Sequence, residues 1–112
     1  MVSYYQRLRE RDNKMRERVI DNVDFDYVSY RFNEVIMEGH SLLINIKMCS
    51  REDSIRLRLH QLNRLDDDAM MLIEFAESMA NRFSWRQKKV AIMRKRYERT
   101  FVENRDAVVF SK

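Results

Sequence analysis

Cys49, His40 and His60 have the strongest claim to covalent chemistry in this chain, because a thiol becomes a nucleophile when an imidazole takes its proton. A turn near residue 49 would bring the two histidines close to the single thiol. Acyl transfer also needs donors for a developing oxyanion, and nothing around Met48-Cys49-Ser50 supplies them. A cysteine beside a turn is expected to be a small apolar residue. Metal chemistry reads no better. Two-metal carboxylate bundles use Glu-x-x-His, and that motif is absent. Asp66, Asp67 and Asp68 are successive helical positions that point apart, which suits water better than one ion.

Glu74-x-x-Glu77 followed by Glu103-x-x-Asp106 resembles the acidic motifs of all-helical nucleotide pyrophosphohydrolases. The resemblance implies a shared metal between the two pairs. On one continuous helix they stand ~40 Å apart at ~1.5 Å per residue, too far to share anything. The expectation is a protein that is not an enzyme, with no catalytic residue, cofactor or metal.

The remaining chemistry is charge. Arg82 to Arg99 includes Arg86, Lys88, Lys89, Lys95 and Arg99, with Trp85 and Tyr97 among them. Aromatics between cations can stack on bases while the cations meet phosphates. Tyr97 falls on an apolar seam, however, and the cations surround a helix rather than line one side. Nucleic-acid or acidic-surface contact through Arg86, Lys88, Lys89, Lys95 and Arg99 is the rival reading.

The elements that carry these residues follow from composition. In 112 residues there is one Gly and no Pro, so tight turns and hairpins of strands are scarce and long helices are expected. The length suits a single domain, residues 1–112. One cysteine excludes an internal disulfide, and no run of 18 apolar residues exists to span a membrane. A hydrophobic fraction of 45% argues against disorder. The first residues, MVSYYQRLRERDNKMRER, lack an apolar signal stretch. A cytoplasmic location is expected, with signal-independent export left open.

Ile55, Leu62, Ala69, Ala76, Phe83, Val90 and Tyr97 recur every seven residues, with Leu59, Leu65, Leu72, Ile73 and Met93 between them. That is a coiled-coil-like seam and predicts one helix over 54–103, with Ser50 accepting from the Asp53 amide at its start. Phe25, Val28, Phe32, Val35, Leu42 and Ile46 predict a helix over 24–48, with Gly39 on its seam. Weak helix formers at Asp21, Asn22 and Asp24 place a break near 21–24. Residues 1–20 then form a basic helix or arm, and 107–112 a small apolar tag. The reversal falls at 48–53. The fold class is all-α: a long antiparallel helical hairpin that completes a bundle with a partner or second copy.

Two observations point to that partner. Leu57, Met71, Trp85 and Ile92 lie about 200° around the second helix from the main seam, and Tyr30 and Met37 form a similar row on the first. Apolar residues on two faces imply burial on two faces. These six are the expected partner-binding residues. Charge is also segregated: residues 1–20 carry +3, 21–50 carry −3, 51–81 carry −3 and 82–112 carry +7. In an antiparallel hairpin the two termini would gather at a strongly basic end, opposite an acidic turn half.

In size and hairpin shape the chain resembles small secretion-associated helical proteins: WXG-type partners, the helical companions of LXG toxins, and secretion chaperones. The resemblance is architectural. Trp85-Arg86-Gln87 lacks the glycine of a Trp-x-Gly turn, whereas Tyr30-Arg31-Phe32-Asn33-Glu34 fits a Tyr-x-x-x-Asp/Glu export pattern in mid-helix. No family membership is drawn from it. The expected function is non-enzymatic protein–protein interaction: a small helical adaptor or chaperone of a larger protein, or a homodimer. Nucleic-acid binding by the basic end, or inhibition of a macromolecular machine, are the alternatives.

Overall fold

The computed structural model describes the backbone of residues 4–111 and the side chains of 24–111. Helix α1 spans Tyr4–Met48, α2 Glu52–Ala80, and α3 Ser84–Tyr97; a π-helical segment, Glu98–Asn104, then leads into α4, Arg105–Phe110. No strand occurs among the described residues. The hairpin is present: the second half of α1 packs along α2. The side chains of the basic stretch 1–20 lie outside those described.

α1 runs without interruption through residues 21–24, so the expected break is not there. Asp and Asn cost a helix only about half a kcal/mol each relative to Ala, and no Pro or Gly stands nearby to stop it. From Phe25 onward the helix is held by burial of Phe25, Phe32, Val35, Ile36 and Ile46 against α2 and α3. The turn is residues 49–51. Arg51, not Ser50, is the extended residue before α2, and its carbonyl accepts from the Ile55 amide at 3.0 Å. Glu52 and Asp53 occupy the positive end of the helix as expected.

The uninterrupted helix over 54–103 is the main correction. The chain stops at Ala80, passes through Asn81-Arg82, and extends at Phe83 (φ −141°, ψ 134°) before α3 begins. α3 then reverses direction and lies back along both α1 and α2. The structure is therefore the predicted hairpin plus a third helical limb from the same chain. That limb closes the main seam from within the chain: Val90, Met93 and Phe101 join the core formed by α1 and α2.

A buried arginine makes the reversal favourable. Arg86 is fully buried, and its Nη1 donates to the Met79 carbonyl at 3.1 Å, taking up an acceptor near the end of α2. Its guanidinium lies 4.9 Å from the Phe25 and Phe83 ring centroids and 5.4 Å from Trp85. Phe25 meets Trp85 edge to face at 5.5 Å, and Phe83 stacks on Trp85 at 6.1 Å. Planar, weakly hydrated guanidinium suits such a box better than ammonium does.

The far end of the limb docks through a close approach. A Cβ on Gly39 would stand 2.8 Å from Phe101 Cζ and 3.3 Å from Thr100 Cγ2, so any side chain there would force the ring to shift. Thr100 and Phe101 are both buried although adjacent in sequence. The wider π-helical turn re-phases the limb there, so that Arg105 still reaches α2 and Val108 still reaches the core.

Candidate interaction surface

Folding the limb back rearranges the charges. Arg94 pairs with Glu77 and Arg96 donates to Asn33. Arg105 pairs with Asp66 at 3.1 Å and also donates to Asn63. Tyr97 donates to the same Asp66 at 2.5 Å. Burial, followed by this bond to a carboxylate, pushes the Tyr97 phenol up to about 12. A limb of charge +7 thus lies against an acidic hairpin. The C-terminal end of the limb sits at the turn end of α1, where Asn104, Ala107 and Val108 share a cleft with His40, Leu43, Ile44 and Lys47. The basic end formed by both termini is overturned: the C-terminal cations are distributed along the rod and partly matched by acids and amides of α1 and α2.

Arg86 leaves the set of expected nucleic-acid contacts, because a fully buried guanidinium inside an aromatic box meets no phosphate. Lys89 is exposed, with Nζ 5.9 Å from the Phe25 and Trp85 ring centroids. Lys88, Lys95 and Arg99 are exposed. The chain reversal also revisits the two acidic pairs. Glu77 is engaged by Arg94, nine residues before Glu103, so the pairs remain apart even with the helix broken. Among the described residues no three His, Cys, Asp or Glu side chains are grouped to hold a metal ion. Cys49 Sγ lies 3.8 Å from the Arg51 carbonyl in the turn, while Thr100 Oγ1 stands 3.1 Å from His40 Nε2.

The six expected partner-binding residues divide among three helices, and all are exposed. Tyr30 and Met37 stand on α1, Leu57 and Met71 on α2, Trp85 and Ile92 on α3. Trp85, 45% exposed, already packs on Phe25. Around Met37 the hairpin opens into a groove of about 560 Å³, lined by Met37, Leu42 and Leu65 together with Glu38, Gln61 and Arg64. Sequence reasoning missed Tyr27 and Phe75, which extend the exposed apolar rows toward the other end of the hairpin. Their signal was present, since Tyr27 and Tyr30 are three apart and Met71 and Phe75 four apart. Tyr30 and Glu34 also interact: the carboxylate raises the Tyr30 phenol, while Arg31 and then Tyr30 hold the Glu34 carboxyl below its ordinary value. Arg31 donates to Glu34 at 2.6 Å.

No helix among the described residues is long and apolar enough to cross a membrane. No family model, curated protein or solved structure matches the chain.

Proposed function

We propose that this protein is a helix–helix association module, a small non-enzymatic adaptor or chaperone that holds a larger protein or another copy of itself. The supporting observation is what stays outside after the third limb has closed the core. Tyr27, Tyr30, Met37, Leu57, Met71 and Phe75 are each more than half exposed on the two hairpin helices. Isolated exposed apolar residues are ordinary, but rows at helical spacing on two adjacent helices are the usual form of a helix-binding face. Nucleic-acid binding is the weaker reading, because Arg86 is buried and Arg94, Arg96 and Arg105 are engaged within the chain.

Site-specific photo-crosslinking in the cells that make the protein tests the proposal. A crosslinker at position 57 or 71 should capture a protein, and one at the exposed polar position Gln87 should not. Leu57→Ala combined with Met71→Ala should weaken the association at least tenfold with helix content retained. Equal capture from all three positions, or none from any, would refute the association reading.

A further inference from the structure

We infer that the occupant of the outer hairpin face is a second copy of this chain, laid antiparallel so that α2 packs on α2. The inference rests on the helix-association reading and goes further by naming partner and register.

The face is a second seam. On α2 it comprises Leu57, Gln61, Arg64, Asp68, Met71 and Phe75, whose steps are alternately four and three residues. That alternation marks a helix built to pack lengthwise on another. The seam lies opposite the core: Met71 is about 180° around the helix from Leu62, at 100° per residue. All six are exposed except Asp68, which is half-buried. On α1 the exposed Tyr27, Tyr30, Met37, Ser41, Ile44 and Met48 follow the same spacing, with Glu34 completing it.

Charge selects the occupant. Residues 51–64 carry four basic and two acidic groups, whereas 65–80 carry five acidic and no basic ones. Two of those acids, Asp66 and Glu77, are already engaged by the third limb, leaving Asp67, Asp68 and Glu74 on the outside. A parallel copy would set the acidic halves against each other. An antiparallel copy sets each acidic half on a basic half, and the seam then matches residue for residue. A two-fold axis level with residue 66 places Leu57 against Phe75 of the second copy, Gln61 against its Met71, and Arg64 against its Asp68. Every one of these contacts occurs twice, as an isologous interface requires.

The area is sufficient. Tyr27 to Met48 spans about 30 Å at ~1.5 Å per residue, and two helices at ~10 Å spacing make the face about 20 Å wide. That footprint of roughly 600 Å² compares with the ~800 Å² of accessible surface that each partner buries in a standard interface.

Light scattering of the full chain, together with a charge swap, decides the matter. The wild type should have twice the chain mass at tens of micromolar, and Arg64→Asp should weaken the dimer at least tenfold. Asp68→Arg should do the same. Both changes in one chain should restore the dimer, since each reversed residue meets its reversed counterpart; within one chain the two sites are four residues apart on one helix, so circular dichroism of each variant checks that fold is unchanged. A dimer that ignores these changes but dissociates with Trp85→Ala and Ile92→Ala overturns this interface and leaves helix association standing. A monomer throughout overturns the second copy; the crosslinking from position 57 then reports separately on the association reading.

Discussion

Arg86 is the residue on which the architecture turns. A guanidinium taken fully out of water is costly unless it finds acceptors and faces, and here it has the Met79 carbonyl and three aromatic rings. Arg86→Ala leaves that carbonyl short of its donor and a void among the rings; the expected loss is about 3 kcal/mol in urea unfolding. Arg86→Lys should recover only part of it, because a point charge cannot replace a flat donor fork. Tyr97 gives a pH-dependent test. Its phenol is raised in the folded state, so its contribution is complete below the ordinary value of 10.0 and is lost as pH rises through about 12. Unfolding free energies from pH 9 to 12 should show the wild type losing its advantage over Tyr97→Phe across that window. A constant difference would remove the Tyr97–Asp66 bond from the account.

At the scale of elements, the third limb is held by shape at one point and by charge along its length. Gly39 provides the shape. Gly→Ala within a helix normally adds about 1 kcal/mol of stability, but a methyl 2.8 Å from Phe101 Cζ must displace that ring. Overpacking of this kind costs about 1–3 kcal/mol, so Gly39→Ala should destabilise the protein or leave it unimproved. In a Phe101→Ala background the same change should stabilise it. A double-mutant cycle with coupling near zero would mean that the limb does not seat against α1 at this glycine. The exposed ion pair Arg94–Glu77 contributes little by itself. Its value lies in choosing which side of the hairpin the basic limb covers.

The whole molecule is a rod of 73 × 24 × 17 Å, so few of its residues can lie far from the surface. Closing even a thin core takes the whole limb, down to the last turns. Val108 packs on the core while Phe110, two residues on, is 85% exposed. The 107–112 tag therefore turns Val108 inward and leaves Val109 and Phe110 outside. Deleting it should lower the thermal midpoint by a few degrees, corresponding to about 1–2 kcal/mol, whereas Phe110→Ala should leave the midpoint unchanged. A deletion without thermal effect would show that Val108 contributes nothing to closure.

The all-α class, the hairpin and its turn were legible in the residues themselves, because one glycine and no proline leave a chain few ways to end a helix, and apolar positions repeated every three to four residues on both halves. The excess of apolar rows was legible as well. What closes the core on the main seam was not. The seven-residue repeat runs straight through the reversal, with Phe83 in phase between Ala76 and Val90, so periodicity alone reads a single helix. Asn81 and Ser84 flank the break as modest local signals, both being weak helix formers. What makes that break pay is Arg86 meeting Phe25, a contact between residues 61 apart in the chain. Such a contact exists only after the hairpin has formed, and with it the tertiary structure decides where the basic limb lies and which apolar face stays open.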